Sequence, residues 1–509
     1  MSRGEEKMSS SVNLEKALTE LFGYDSFRDG QKEIIESVLK GKNTLGTLPT
    51  GSGKSICYQL PALLLKGVTV IVSPLISLMV DQVKLLKYNG IKEVIAINSL
   101  LNFDEKEKAF KQLNRYKMIY CSPEMLQHQS FVTRLKQLKI SLFVIDEAHC
   151  ISQWGHEFRP DYLRLKEIIQ VLNNPTVLAL SATATPDVQK DIIKQLGINM
   201  TSFIYPIDRT NISYSICHVN GEKEKNDELI HVLNKINAPT MIYFSSRRMS
   251  EQISALLQKH FPNRNIAFYH GGMTQEDRLL IQQQFMNDQL DIICCTSAFG
   301  MGINKDNIRL VIHYHLPSTM EAFIQETGRG GRDGSHSVSL LLYSRGDELI
   351  PSQLIDLELP DDYLIEQFIK LKRNDDPLIE TMSLTETQER FLNYHVEKLS
   401  QESLTIEQII NKIKLIRNER NHIKKNSIYK LIQWIEAKKC RRVTLFESFQ
   451  KHVRKPDYEC CDQCGFDIFQ WVYHSSNESN YNTSWQMILE DMFNRRWKNE
   501  EEKITTRVD

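Results

Sequence analysis

The chain has 509 residues, 41% hydrophobic and 25% charged, which are the proportions of a globular protein whose length predicts about three domains rather than one core. No apolar run approaches the ~20 residues that span a bilayer, and Met1 to Asn13 has no apolar signal core, so neither a membrane protein nor a secreted one is expected. The formal net charge of -1 argues against an evenly basic surface, yet Asn411 to Lys455 holds fourteen Lys and Arg against three Glu, a basic region inside a neutral chain.

Residues 13 to 40 carry Leu14, Leu18, Leu21 and Phe22, then Ile34, Ile35, Val38 and Leu39, at spacings that predict two helices. Between them lie Tyr24, Arg28 and Gln31. A Gln amide can bond both edges of an adenine and Tyr and Arg can stack on one, although an ordinary surface loop has the same composition. The stretch LPTGSGKSICYQLPAL follows. Thr50, Gly51, Ser52 and Gly53 form a loop whose backbone N–H groups can close around phosphates, Lys54 can reach the β and γ phosphates, and Ser55 can ligate Mg²⁺. The strict phosphate-loop pattern has Gly where this chain has Leu48, and Cys57 to Leu65 is the expected helix behind the loop.

Strand-like runs then alternate with helical stretches: TVIVS (69–73), EVIAI (93–97), KMIYC (117–121), LFVIDE (142–147) and TVLALSAT (176–183). This alternation predicts a parallel sheet. Ser73, Ser122 and Ser181 to Thr183 sit at strand ends, where small hydroxyls can bond a sugar-phosphate backbone or simply cap a turn. Asp146 and Glu147 end the fourth run, where open α/β sheets place ligands. A carboxylate pair there suits a Mg²⁺-nucleotide, one member holding the metal's water shell and the other orienting an attacking water. Trp154, His156, Phe158, Arg159 and Tyr162 follow at once, offering stacking faces and a guanidinium to unpaired bases, or otherwise core.

A second α/β series begins near Ile207, with PTMIYFSS, NIAFYH, DIICCTS, IRLVIHY and SVSLLLYS, and lacks a phosphate loop. It contains QETGRGGRDG, Gln325 to Gly334, where Arg329 and Arg332 among glycines can approach a phosphoryl group across a domain cleft. Glu348 to about Ser403 reads as a small helical bundle against these domains, with no motif. Ile406, Ile409, Ile413 and Ile416, then Ile428, Leu431 and Ile435, are separated by the polar ERNHIKKN and predict an antiparallel helical hairpin whose basic face, directly before the cysteine cluster, contacts duplex backbone, although such a face can also be simply solvated.

Six of the ten cysteines, Cys57, Cys121, Cys150, Cys217, Cys294 and Cys295, are scattered and read as reduced thiols. The other four, Cys440, Cys460, Cys461 and Cys464, fit tetrahedral Zn²⁺. The Cys460-Cys461 pair requires a bent backbone, and His452 is an alternative to Cys460.

Taken in order, LFGYDSFRDGQ, LPTGSGKS, VSPLISLMVDQ, YCSPE, DEAHCISQWGHEFRPDY, LSATAT, IYFSSR, AFYHGGM, TSAFGMGINKDNIR and QETGRGGRDG resemble the motif series of the RecQ family of superfamily 2 helicases. DEAH is shared with RNA helicases, whereas CISQWGHEFRPDY resembles the RecQ aromatic-rich loop that couples DNA contact to ATP hydrolysis. CRRVTLFESF followed by CCDQC resembles the RecQ zinc module. Departures are Thr327 and Gly330, the latter where the family usually has Ala, and the adjacent Cys pair.

The resemblance implies an α/β protein of two tandem RecA-like parallel-sheet domains, 1–206 and 207–347, then a helical zinc-binding region, 348–465, and a tail, 466–509. It implies a DNA-stimulated ATPase and 3′ to 5′ DNA helicase of recombination and repair, with ATP, Mg²⁺ and Zn²⁺. Its catalytic residues would be Lys54, Asp146, Glu147, Gln325, Arg329 and Arg332. Nucleotide would bind at Tyr24, Arg28, Gln31 and Thr50 to Ser55, with Mg²⁺ at Ser55 and Asp146. DNA would bind at Ser73, Ser122, Trp154, Phe158 and Arg159. The partners implied are single-stranded and branched or tailed duplex DNA and single-strand-binding and recombination proteins, with no membrane, in a cytoplasmic, nucleoid-associated location. The family's winged helix does not fit in the residues after Gly465, so a translocase with weak unwinding is the alternative, and an RNA helicase the less favoured one.

Overall fold

A computed structural model of the chain describes residues 13–98, 101–152, 159–299, 305–374 and 376–473. The first sheet contains β1 (Thr44–Thr47), β2 (Val68–Val72), β3 (Val94–Ile97), β4 (Met118–Cys121), β5 (Ile140–Ile145), β6 (Thr176–Ser181) and β7 (Thr201–Ile204). They lie in the order β3-β4-β2-β5-β6-β1-β7, every pairing parallel. The second contains β8 (Ile212–His218), β9 (Thr240–Tyr243), β10 (Ile266–Tyr269), β11 (Ile292–Cys295), β12 (Leu310–His313) and β13 (Ser337–Tyr343), in the order β10-β11-β9-β12-β13-β8 and again parallel. Helices cover both faces of each sheet, which is why β2, β4, β9, β11 and β12 are buried at every residue and read as continuous apolar runs. Two α/β domains of the expected class are thus present.

Three strands escaped the sequence. The TLGT of β1 has no β-branched run, and the TSFI of β7 is a largely exposed edge. The ISYSICH of β8 alternates apolar residues with Ser213 and Ser215, which are nevertheless buried. The cysteine-rich segment covers that edge: the Ser213 hydroxyl donates to the Glu459 carbonyl, and Tyr214 N–H donates to the Cys460 carbonyl at 3.2 Å.

The expected helical hairpin is absent. Residues Ile406–Glu436 form one helix of 31 residues, opened by a Thr405–Gln408 capping box. It is about 46 Å long at 1.5 Å per residue. The polar stretch ERNHIKKN contains neither Gly nor Pro, so nothing in it ends a helix. The break in its apolar pattern marks a change of partner. Ile409, Ile410 and Ile413 pack with Ile365, Phe368, Phe391 and Leu392 in the bundle core, while Ile428, Leu431, Trp434 and Ile435 pack with Tyr214, Phe323 and Phe446 against the second domain.

Five of the seven Lys and Arg of this helix are paired with acids within the chain. Lys412 pairs with Glu402 (2.7 Å), Lys414 with Glu366 (2.6 Å) and Lys425 with Asp356 (2.7 Å), while Arg417 reaches Asp362 and Lys424 reaches Glu358. The acids belong to the helices Leu349–Glu358 and Asp362–Arg373 and to the turn at Glu402. The bundle sits against the first domain as expected: Arg390 donates to Glu124 at 2.9 Å, and Arg164 pairs with Glu397. Phe466 and Ile468, expected in a tail, are buried in the second domain's core.

His395 is 4% exposed among Phe391 and Tyr394, and burial lowers its pKa to about 4. The unfolded chain therefore binds a proton between pH 6.5 and 4 that the native state refuses, and stability falls as pH falls through that window. By pH 5 the loss is on the order of 2 kcal/mol. Denaturant unfolding at pH 7.5 and 5 is expected to show that a His395→Leu variant loses less stability on acidification than the parent by about this amount.

Candidate functional site: a nucleotide cleft between two sheets

Strand β1 delivers the chain to Pro49–Ser55, and Ser55 begins the helix Ile56–Leu64. Gly51 and Gly53 have φ of +76° and +72°, left-handed values that turn successive N–H groups toward one concavity. A side chain at either glycine would be strained by this φ and crowded as well, since a Cβ on Gly53 would lie 2.9 Å from Gln31 Nε2 and one on Gly51 3.0 Å from an Arg209 nitrogen. Gln31 Nε2 donates to the Ser52 and Gly53 carbonyls (2.8 and 3.0 Å), Arg28 N–H donates to Gln31 Oε1 (2.9 Å), and the Arg28 guanidinium donates to the Gly51 carbonyl (2.5 Å). Both residues thus brace the loop, while Tyr24 stands 55% exposed at its rim.

Beside the loop, β5 leads directly into Asp146, whose N–H donates to the Val72 carbonyl at 2.9 Å. Burial raises the Asp146 carboxyl to about 7, with Glu147 adding to the shift and Lys54 and the Glu147 N–H opposing it. Glu147 adopts φ +48°, a strained conformation for a residue with a Cβ, and its Oε2 is buried without a hydrogen bond, 3.4 Å from His149 Nδ1. That ring nitrogen is 3.1 Å from the Ser181 hydroxyl, so this strand-end serine joins the DEAH box to the end of β6.

The opposite wall comes from the second domain. The helix Met320–Thr327 leads into Gly328–Gly334, which carries Arg329 and Arg332. Arg329 is 5% exposed against Tyr243, and the Arg332 guanidinium is pushed down to about 9 by burial and by the neighbouring Arg329 and Arg209. The Gly330 departure has a local reason: a Cβ there would lie 2.2 Å from the Ser337 hydroxyl.

One cavity of about 380 Å³ joins these walls, lined by Tyr24, Arg28, Gln31, Thr50, Gly51, Gly53, Lys54, Ser55, Asp146, Glu147, Gln325, Arg329 and Arg332. Among the expected nucleotide residues only Ser52 is outside its lining, with its hydroxyl buried and unbonded. The electrostatics fit a metal-nucleotide. One wall crowds carboxylates beside Lys54 and the other crowds guanidinium groups, so a dication and a polyanion would relieve both.

The expected DNA contacts do not assemble in the same way. Ser73 and Ser122 are 2% and 5% exposed, and the Ser122 hydroxyl accepts from Met125 N–H at 3.4 Å as a turn cap. Arg159 lies 3.9 Å from Glu124. Trp154 and Phe158 are outside the described residues.

At the cysteine cluster, one sulfur from each of Cys440, Cys460, Cys461 and Cys464 lies within 4.8 Å of the others, and Cys440 is 3.5 Å from Cys460 and 3.9 Å from Cys461. Tetrahedral thiolates ~2.3 Å from zinc stand about 3.8 Å apart, so this donor set fits Zn²⁺ with Cys460 included and His452 exposed outside it. The Cys461 thiol is lowered to about 5, first by the Cys460 thiol and also by the Arg441 N–H at 3.3 Å.

Sequence reasoning missed Arg209. Lying between the sheets, its guanidinium donates to the Thr50 carbonyl of the phosphate loop and to the Gly328 carbonyl of the arginine loop, at 3.3 and 3.2 Å. The only sequence signal was a lone arginine in a connecting segment.

Residues 28–192 match the DEAD/DEAH box helicase family and residues 224–334 the helicase conserved C-terminal domain. The chain is 40% identical over 469 residues to the probable ATP-dependent DNA helicase RecS of Bacillus subtilis, covering 90% of this chain and 93% of that protein. It is 41% identical over 347 residues to the ATP-dependent DNA helicase RecQ of the same organism, covering 67% of this chain and 57% of that protein. In fold it is similar to the Mycobacterium smegmatis helicase Lhr bound to ssDNA and AMP-PNP, with a TM-score of 0.56 at 20% identity over 72% of this chain and 53% of that one. With two parallel-sheet domains facing across a phosphate-loop cleft and a similarity that runs nearly the length of RecS, the chain belongs to the RecQ family of ATP-dependent DNA helicases.

Proposed function

We propose that this chain hydrolyses ATP in the cleft between its two sheets and uses the cycle to move 3′ to 5′ along single-stranded DNA and unwind duplex in recombination and repair. The observation that carries the reading is the single cavity joining Lys54, Asp146 and Glu147 of one domain to Gln325, Arg329 and Arg332 of the other. The loop N–H groups and Lys54 hold the phosphates, and Tyr24 offers a face to the base above the braced Arg28 and Gln31. Ser55 and Asp146 are placed to hold Mg²⁺, which when bound neutralises phosphate charge. Glu147, with its unbonded buried oxygen, orients the attacking water, and Arg329 and Arg332 neutralise charge on the γ phosphate.

Hydrolysis in such a cleft depends on both walls, so the motor is off whenever the domains part. A cytoplasmic, nucleoid-associated protein working with single-strand-binding and recombination proteins on tailed or branched DNA fits this reading. One observation favours a second reading, translocation with weak unwinding. The basic helix expected to grip duplex spends five cations on acids of its own chain.

Unwinding of 3′-tailed against 5′-tailed duplexes, beside translocation on single strands, separates the two readings. The 3′-tailed substrate alone is expected to open, and Lys54→Ala or Glu147→Gln to abolish opening and ATP turnover, about 10³-fold or more, with DNA binding retained. Trp154→Ala is expected to keep DNA affinity but lose the stimulation of ATP hydrolysis by single strands; stimulation equal to the parent's counts against the aromatic loop as the coupling element. Cys464→Ser is expected to lose bound zinc by elemental analysis and on the order of 3 kcal/mol of stability, since metal binding is folding free energy at such a site.

A further inference from the structure

We propose that Arg209 is a positioning residue for ATP hydrolysis, one guanidinium that sets both the phosphate loop and the two arginines facing it; the proposal deepens, and rests on, the ATPase reading above. Arg209 lies in the segment between β7 and β8, where the chain crosses from one sheet to the other. One terminal nitrogen donates to the carbonyls of Thr50 (3.3 Å) and Gly328 (3.2 Å), and the other to those of Gly331 (2.5 Å) and Gly330 (3.4 Å) and to Asn211 Oδ1 (3.3 Å).

The identity of these carbonyls matters. A trans peptide is planar, with its C=O and N–H pointing in opposite directions, so fixing a carbonyl aims the N–H of the next residue. The Thr50 carbonyl belongs to the Thr50–Gly51 peptide, and holding it on Arg209 turns the Gly51 N–H the other way. The Gly328 and Gly331 carbonyls belong to the peptides that enter Arg329 and Arg332. Arg209 thus holds the backbone unit immediately before each arginine of the opposite wall, and does so from the same group that holds the phosphate loop. Asn211 reinforces the second contact, its amide donating to the Gly331 and Ser335 carbonyls at 2.8 and 2.7 Å.

Close packing leaves the arrangement little slack. A Cβ on Gly328 would stand 1.9 Å from the Thr50 hydroxyl, and one on Gly51 would meet both Arg209 (3.0 Å) and Arg332 (3.1 Å). The Arg209 backbone is held from behind: Arg442 donates to its carbonyl at 2.7 Å, and the fully buried Asp208 accepts from Gln450 Nε2 (2.9 Å) and from Arg454 N–H and Nε (3.0 and 3.1 Å). A planar fork with several donors can span carbonyls of two domains; a lysine ammonium, a point donor on a flexible stem, cannot hold the same set at once.

The test measures ATP turnover stimulated by single-stranded DNA, affinity for a fluorescent ADP analogue, and melting temperature in Arg209→Lys, Arg209→Gln and Gly328→Ala, with the parent and Lys54→Ala as references. Turnover in the parent and none in Lys54→Ala upholds the ATPase reading on its own, and an inactive parent sinks that reading rather than this one. For the Arg209 variants kcat is expected to fall about tenfold to hundredfold, the cost of a misplacement near 1 Å, while KM for ATP, ADP-analogue affinity and melting temperature stay near the parent's. The lysine variant is expected to rescue nothing. A kcat within twofold of the parent in Arg209→Lys overturns the proposal, as does a loss of kcat that runs in parallel with lost nucleotide affinity and melting temperature. Should the Arg209 variants not fold, Gly328→Ala decides, because it disturbs the same contact from the other side: a kcat-only loss supports the proposal and parental turnover overturns it.

Discussion

Like charges buried on both sides of one cleft are the constraint on which the rest of this structure depends. Asp146 and Glu147 stand together on one wall, and the Asp146 carboxyl is driven up by burial and by its neighbour. Arg329, Arg332 and Arg209 stand together on the other, and the Arg332 guanidinium is driven down by burial and by the other two. Each wall crowds like charges out of water, which is unfavourable and is only partly offset by Lys54 on one side and Asp306 on the other. Each wall persists because rigid elements hold it: on one side the end of a buried strand and a left-handed Glu147, on the other a glycine-rich turn clasped by backbone and side-chain bonds. A polyanion carrying a dication is the ligand that satisfies both.

The C-terminal elements act on that cleft from outside. The long helix Ile406–Glu436 joins two cores, one in the bundle that grips the first domain through Arg390 and Glu124, the other on the second domain through Trp434 and Phe323. The cysteine-rich segment covers the β8 edge and fastens the segment between the sheets through Arg442, Gln450 and Arg454. An edge strand needs cover, and here the cover also anchors the crossing point of the chain. The cysteine cluster, the interdomain segment and the phosphate loop are therefore linked by contiguous contacts.

The aromatic-rich loop enters this arrangement through its stem. Arg159 and Arg390 approach the same Glu124 carboxylate from the first domain and from the bundle, and Tyr162 hydroxyl donates to the Asp146 carbonyl at 3.3 Å. The stem is thus tied at one point to the acidic wall and at another to the helical bundle.

By itself the sequence determined the chemistry. The phosphate loop, the DEAH pair, the paired arginines and the four cysteines were legible because each function demands particular residue types at short spacing, and short spacing survives without knowledge of the fold. The parallel sheets were legible from buried β-branched runs, except at β1, β7 and β8, where glycine, exposure or an alternating serine hid the strand. What only the tertiary structure decided was which residues share a wall and which charges are already spent. Ile406 to Ile435 read as two helices because its apolar face changes partner midway, and the partners lie elsewhere in the chain. Its cations read as a DNA surface because the acids that neutralise them lie 10 to 69 residues away. Arg209 showed locally only as a lone arginine, because what it does depends on carbonyls 159 and 119 residues distant, and backbone carbonyls are present at every position of every sequence.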